Sequence, residues 1–191
     1  MKNHLTDNLI AQLNGIYHLS AMGNESGARN QIKTLAETLR YKIRNRNEMV
    51  PLQQEFGVVR GFFSLFTARW GDEFKNSLEA QEEILDEYLP HYSIMSLVEN
   101  SLFHAFEKHE GQRIVKVSAA RCENGLTVWV EDNGCGFRPS GEEAGGDEYG
   151  SLNSLKARLQ ALYGGEARLS FSPAPGSGTK AELFFPESGS T

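Results

Sequence analysis

The chain has 191 residues, of which 39% are hydrophobic, and its formal net charge is −6. This length and composition suit one domain with an appendage or two small domains with a globular core. The acidic balance argues against nucleic-acid binding, and two isolated cysteines offer no disulfide framework, which favours a reducing compartment. No apolar run approaches the roughly twenty residues that cross a bilayer, so we expect no membrane insertion by this segment.

The N-terminal segment predicts two helices that form a hairpin over residues 1–47. Apolar residues recur at helical spacing in both, as Leu5, Leu9, Leu13 and Ile16 and then as Ile32, Leu35, Leu39 and Ile43. Because two narrow stripes cannot enclose a core, we expect the hairpin to pair with a second copy in a four-helix bundle. Packing on its own C-terminal domain is the alternative. The basic segment at 40–46 is interpreted as the solvated end of the second helix.

The following segments alternate between the helical and the strand period. A third helix is predicted from about 53 to 69, then a short strand beginning at Phe74, and a helix from about 92 to 108. Strands near 113–121 and 126–132 are joined by a hairpin signal. A mobile loop at 138–149, a helix at about 151–163 and strands near 167–172 and 179–185 complete the chain. This order predicts an α+β fold, in which the helical hairpin precedes a two-layer α/β sandwich with its helices on one face.

Two segments carry the candidate site. Asn100 lies on a predicted helix, where its amide oxygen could bind a magnesium ion that bridges phosphates. Asp132 ends a predicted strand, where a buried carboxylate can accept a hydrogen bond from an adenine amine. Gly134 and Gly136 lack a Cβ atom, so the backbone can approach a ring closely. With the segment 176–179 before the last strand, these residues predict a nucleotide pocket, although Asn133-Gly134 alone would suit a hairpin turn.

The chain resembles the LytS-type sensor histidine kinases, within the wider class of Bergerat-fold (GHKL) ATPases. Residues 50–72, including Glu55, resemble the family's link between hairpin and ATPase domain. Residues 90–104 resemble its asparagine box and residues 131–137 its first glycine box, while residues 156–164 and Gly178-Thr179 resemble its closing segment. The resemblance implies an ATP-binding domain at 48–191 that uses ATP and Mg²⁺. It also implies a homodimer through the hairpin and a response regulator or partner kinase as partner. The expected location is cytoplasmic, either free or as the cytoplasmic portion of a membrane-bound sensor.

The resemblance assigns roles to individual residues. Asn100 would coordinate magnesium and Asp132 would bind the adenine amine. Gly134 and Gly136 would shape the slot for the ring. Thr179 would support Asp132 or an adenine-bound water.

Two further residues near Asn100 keep alternative interpretations. Glu99, beside the magnesium ligand, is the candidate catalytic residue that polarises the attacking group, and the alternative is a helix-surface carboxylate. His104, one turn after Asn100, would approach the phosphates or serve as a packing or capping residue.

The first helix departs from the family at the phosphoacceptor. The family carries Pro-His-Phe-Leu-Phe-Asn there, and aligning Leu13-Asn14-Gly15-Ile16 with its Leu-Asn-x-Ile places Asp7 at the histidine position. An aspartate cannot become phosphohistidine, so no phosphoacceptor is identified. A one-turn slip of the alignment would make His4 the acceptor instead.

The lid is the second departure. The family's Gly-Ile-Gly-Leu motif cradles phosphates with helix N-terminal amides, and Tyr149, Gly150, Ser151 and Leu152 occupy its positions here. Ser151 is small and keeps its amide, whereas Tyr149 is a poor substitute where the backbone must approach closely. Gly150, Ser151 and Leu152 remain the candidate phosphate-side residues, and Gly145-Gly146 is an alternative source of flexibility.

Three functions follow from these residues. The first is a dimeric two-component protein that has weakened or lost autophosphorylation, a pseudokinase. The second is an active ATP-dependent histidine kinase that phosphorylates a partner or a non-standard histidine. The third is a phosphotransferase-like or scaffold dimer with a vestigial ATPase domain.

Overall fold

A computed structural model describes the backbone of residues 4–44, 48–106, 109–136, 150–174 and 178–187, with side chains except at 4–8, 11, 150 and 151. The helices are α1 (His4–Ala21), α2 (Glu25–Ile43), α3 (Leu52–Trp70), α4 (Ser93–Asn100) and α5 (Gly150–Tyr163). The strands are β1 (Met49–Pro51), β2 (Phe74–Ala80), β3 (Tyr88–Pro90), β4 (Arg113–Cys122), β5 (Gly125–Asp132), β6 (Arg168–Pro173) and β7 (Thr179–Pro186). No helix within these ranges is long and apolar enough to span a membrane.

A five-stranded sheet in the order β2-β4-β5-β7-β6 forms one layer of the C-terminal part. β2 runs parallel to β4, whereas the other neighbours are antiparallel. Alternate residues of the central strands point into the core, among them Val117, Val128 and Leu183. Helices α3, α4 and α5 supply the other layer. The predicted α+β fold with a two-layer sandwich is confirmed.

Several predicted elements agree closely with the structure, and one differs. The third helix, the hairpin of β4 and β5, and the last helix and two strands lie where the sequence places them. The helix predicted over 92–108 is shorter, because α4 ends at Asn100 and continues as a π-helical turn over Ser101–Ala105. The expected loop at 138–149 lies outside the described residues.

The hairpin of α1 and α2 packs against α3 through one face. The buried residues of this face are Ile16, Ala28, Leu35 and Tyr41. For this face, the hairpin therefore packs on the C-terminal part of the same chain, which was the alternative to pairing with a second copy. A second face stays uncovered and is formed by Ile10, Leu13, Tyr17, Ile32, Leu39 and Ile43. Of the predicted stripes, Leu13, Ile32, Leu39 and Ile43 belong to this exposed set, whereas Ile16 and Leu35 are buried within the chain.

A short antiparallel ribbon of β1 and β3 joins the hairpin to the sandwich. It leads into α4, because β3 ends at Pro90 and α4 begins at Ser93. Tyr92 between them takes a left-handed backbone conformation, with φ of 66°. The ribbon brings the beginning of α4 close to the end of α2, where the centres of the Tyr41 and His91 rings lie 4.1 Å apart.

Candidate functional site

Asp132, at the end of β5, is the centre of the site. Its side chain is 5% exposed, and three groups donate to it. Ser101 Oγ donates to Oδ2 at 2.9 Å, while the amides of Gly134 and Thr179 donate to Oδ1 at 3.0 and 3.2 Å. Burial raises the pKa of the Asp132 carboxyl, and these donors oppose the rise. The carboxylate is therefore held rigidly, with Oδ2 the less occupied oxygen.

Close backbone approach explains two glycines of the site. A Cβ atom at Gly134 would lie less than 3.0 Å from the Cβ and carbonyl oxygen of Ala105. A Cβ atom at Gly178 would lie less than 3.0 Å from the carbonyl oxygen of Asp132. Gly136 has a φ of 82°, which favours glycine. Steric contact with the protein itself thus selects glycine at 134 and 178, independently of any ligand.

The segment that follows β5 is held by hydrogen bonds to the beginning of β4 and to the π-helical turn. Asn133 accepts a hydrogen bond from the Ile114 amide at 2.7 Å and donates one to the Gln112 carbonyl at 2.7 Å. The Cys135 amide donates to the Ala105 carbonyl at 3.0 Å. These bonds bring the first glycine box against the π-helical turn, and the sequence prediction that the two segments share one site is consistent with this contact.

Asn100 is the last residue of α4 and is partly exposed, as is His104 in the π-helical turn. No cluster of three or more histidine, cysteine or acidic residues that could hold a metal occurs in the described part of the chain. A magnesium ion at Asn100 would therefore take most of its oxygen ligands from nucleotide phosphates and water, as Mg²⁺ does in many phosphate sites. The residues present fit such a shared site, and they do not form an all-protein cage.

Glu99 is not the helix-surface carboxylate of the alternative interpretation. It is 8% exposed and lies in a cleft between the hairpin and α4 that Leu9, Gln12 and Phe103 also line. Lys42 Nζ donates to both carboxylate oxygens at 2.9 Å. The interpretation of 40–46 as a solvated helix end is wrong for Lys42, because its side chain is only 21% exposed. The catalytic role of Glu99 stays a prediction.

Glu55 organises the other end of α4, and its side chain is fully buried. It accepts hydrogen bonds from the amides of Tyr92, Ile94 and Met95, at 2.5, 3.0 and 3.2 Å, and from the Tyr41 hydroxyl. Burial raises the pKa of Glu55 despite these donors. It also raises the pKa of the Tyr41 hydroxyl, with the Glu55 charge acting in the same direction. A carboxylate at a helix N-terminus satisfies amides that have no partner within the helix.

The lid residues are described only in part. α5 begins at Gly150, and Leu152 is 3% exposed in the core, so Leu152 can offer a nucleotide only its backbone. Arg158 of α5 donates to the His91 carbonyl at 2.8 Å and to Ser93 Oγ at 3.2 Å, which ties α5 to the beginning of α4. Tyr149 and Gly145-Gly146 lie outside the described residues, as do the side chains of Ser151, His4 and Asp7.

Sequence reasoning missed two residues of this site. Ser101 follows Asn100 directly, and this neighbourhood was the only feature of the sequence that could have indicated its role as a donor to Asp132. Lys42 is 57 positions from Glu99, and no local pattern connects them. Glu55 was noted within the family resemblance, but its buried contact with α4 was not anticipated.

A model of the histidine kinase family matches residues 4–74. The sensor protein LytS of Staphylococcus saprophyticus is 29% identical over 178 residues, which cover 84% of this chain and 30% of that protein. The sensor histidine kinase/phosphatase LytS of Staphylococcus aureus is 29% identical over 170 residues, which cover 83% and 29%. These similarities support a LytS-type sensor histidine kinase as the family of this chain. It spans less than a third of the length of these two LytS proteins.

Solved structures share the fold of this chain. A blue-light activated histidine kinase of Erythrobacter litoralis aligns with all of the chain and 65% of its own, with a TM-score of 0.54 and 18% identity. A bacterial phosphotransferase aligns with 93% of the chain and 88% of its own, with a TM-score of 0.58 and 12% identity. The catalytic domain of the histidine kinase ThkA aligns with 73% of the chain and 96% of its own, with a TM-score of 0.56 and 13% identity. At these identities the likeness concerns the fold alone.

Proposed function

We propose that this chain binds ATP with magnesium and works as a dimeric two-component signalling protein whose autophosphorylation is weakened or lost. The observation that carries the nucleotide part is the buried Asp132 carboxylate, fixed by Ser101, Gly134 and Thr179. Such a preorganised acceptor suits an exocyclic amine, since a buried acceptor fixed by several donors loses little freedom on binding. Asn100 would hold the metal that neutralises the phosphates, with Gly150 and Ser151 as phosphate-side residues.

The proposed loss of autophosphorylation rests on Asp7. In the alignment above, Asp7 takes the place of the histidine that receives the phosphoryl group, and a carboxylate there cannot yield phosphohistidine. Phosphoryl transfer depends on positioning and charge neutralisation. A protein can therefore keep a nucleotide site after its acceptor has been replaced.

The proposed dimer rests on the uncovered face of the hairpin. Ile10, Leu13 and Tyr17 on α1 and Ile32 and Ile43 on α2 are each at least half exposed. Apolar residues repeated along one face of each helix are typical of helices that pack in bundles. A second copy would cover this face, and a response regulator or partner kinase would be the downstream partner.

Calorimetric titration of Mg·ATP tests the nucleotide part. The wild-type protein is expected to bind, and Asp132→Ala is expected to lose binding while the oligomeric state stays unchanged. Asp72→Ala, at an exposed aspartate, is the matched control and should bind as the wild type does. Absence of binding by the wild type would refute the proposal and favour the phosphotransferase-like or scaffold dimer with a vestigial ATPase domain.

Incubation with radiolabelled ATP tests the second part. We expect no acid-labile, base-stable phosphate, which is the behaviour of phosphohistidine, on the purified protein. Phosphate on His4, His18 or a partner protein would instead establish the active histidine kinase, the alternative supported by Asn100, Asp132 and Thr179. Substituting each histidine in turn would identify the acceptor.

A further inference from the structure

Two consecutive residues at the end of α2 are linked to the two ends of α4, Tyr41 through Glu55 of α3 and Lys42 directly. The Tyr41 hydroxyl donates a hydrogen bond to Glu55. Glu55 in turn accepts hydrogen bonds from the amides of Ile94 and Met95 in the first turn of α4. Lys42 Nζ donates to both oxygens of Glu99 in the last turn. Within the eight residues of α4, these contacts lie about 6–8 Å apart along the helix axis. The hairpin therefore braces the whole length of this helix.

The Lys42–Glu99 pair is well shielded from solvent. The two side chains are 21% and 11% exposed, and the Lys42 ammonium also lies 5.5 Å from the centre of the Tyr92 ring. Removing one partner of a shielded pair leaves an uncompensated charge, so the surrounding structure must move or admit water. An exposed pair on the same helix, between Lys33 and Glu37, carries no such penalty because its side chains are 76% and 59% exposed.

The Glu99 carboxylate, which Lys42 holds, adjoins Asn100 at the metal end of the nucleotide site. Glu99 directly precedes Asn100, and Ser101 after it donates to Asp132. A displacement of the last turn of α4 would therefore shift the Asn100 amide relative to Asp132. The adenine end has its own anchors in the amides of Gly134 and Thr179, which lie outside α4.

We propose that Lys42 of the hairpin is a positioning residue for the metal end of the nucleotide site, acting through Glu99 on Asn100. This inference rests on the proposed binding of Mg·ATP. Because coupling between two sites is reciprocal, occupancy by Mg·ATP stabilises the docked hairpin to the same extent that the docked hairpin favours Mg·ATP. Nucleotide occupancy and docking of the hairpin would thereby be coupled without any phosphoryl transfer.

The test compares ATP affinity with magnesium and with EDTA, by calorimetry, in the wild type and in Lys42→Met. We expect Lys42→Met to weaken Mg·ATP binding by roughly five- to tenfold, within the usual range of coupling between sites. Metal-free ATP should bind within about twofold of the wild type, since the adenine end does not depend on α4 alone. Lys33→Met is the matched control and should change neither affinity.

Two further variants protect the test against simple misfolding. Lys42→Arg keeps the charge and should keep the magnesium-dependent part of the affinity. The exchanged pair Lys42→Glu with Glu99→Lys should recover part of what Lys42→Met loses. Hydrogen exchange at 97–101 should be faster in Lys42→Met than in Lys33→Met.

The outcomes separate this inference from the proposed function. If the wild type does not bind ATP, the proposed function fails and the coupling to Mg·ATP fails with it. If the wild type binds but Lys42→Met keeps the same affinities with and without magnesium, the positioning role alone is refuted. Equal losses in both conditions would also refute it, because they would indicate a general structural role for the pair.

Discussion

Gly134→Ala tests the contact between the first glycine box and the π-helical turn. The added Cβ atom would lie less than 3.0 Å from both the Cβ and the carbonyl oxygen of Ala105. Gly134 is not among the residues with positive φ, so the substitution acts through steric overlap and not through backbone strain.

The magnitude follows from two contributions. Forcing one methyl group into a packed region costs about 1–3 kcal/mol. Shifting the chain also weakens the bond from the Gly134 amide to Asp132, and a hydrogen bond to a charged group contributes about 1.5–3 kcal/mol. Because the shift relieves part of the overlap, we expect a loss of on the order of 2–4 kcal/mol in the free energy of unfolding. Mg·ATP binding should be lost as well.

Urea unfolding followed by circular dichroism measures the effect, and Gly57→Ala is the matched control. Gly57 lies within α3, and a Cβ atom there would meet nothing within 4 Å. Alanine should therefore stabilise the protein by about 0.5–1 kcal/mol. The second substitution Ala105→Gly should not rescue Gly134→Ala, because the carbonyl oxygen of residue 105 remains in the way. A neutral Gly134→Ala variant, or full rescue by Ala105→Gly, would refute this reasoning.

Three further outcomes follow from the structure. Ser101→Ala removes the donor to Asp132 Oδ2. Loss of a hydrogen bond of roughly 1 kcal/mol should weaken ATP binding by about five- to tenfold. Unchanged ATP affinity in calorimetry would contradict this expectation. Burial raises the native pKa of Asp132 above its ordinary value of 3.8, so its protonation stabilises the native state at low pH and this contribution is lost as the pH rises through the native pKa. The stability of the wild type relative to Asp132→Asn, measured by urea unfolding, should therefore decrease from pH 4 to pH 7, and an increase would show that the pKa is lowered. Finally, Leu13→Asp with Ile32→Asp on the uncovered hairpin face should convert a dimer to a monomer in light scattering. Tyr88→Asp, at a residue 62% exposed on the β1–β3 ribbon, should leave the dimer intact.

Short-range patterns predicted most of the elements. α3, β4, β5 and α5 have a clear helical or alternating apolar period, or a strong turn signal, so their places could be inferred locally. The three-residue strands β1 and β3 were missed because they are too short to show any period. The π-helical turn after Asn100 was also missed, since its apolar pattern does not differ from that of a continuing α-helix.

The identity of the candidate site residues was decided by the sequence itself. Asp132, Gly134, Asn100 and Thr179 were singled out from residue type and spacing, together with the family resemblance, and the structure brings Asp132, Gly134 and Thr179 into direct contact. Residue type limits chemistry before any fold is known, because only some side chains can accept an amine, bind magnesium or allow close backbone approach. Asp7 likewise excludes phosphohistidine at its own position in any fold.

The tertiary structure decided how the hairpin and the site are joined. Lys42 with Glu99, and Tyr41 with Glu55, are 57 and 14 positions apart, and each pair has its effect only because burial removes competing water. In sequence, Lys42 is one of several basic residues and Glu55 one of many acidic ones. Folding places Lys42 in a shielded cleft beside α4 and buries Glu55 at the beginning of the same helix. Both contacts hold the helix that carries Asn100.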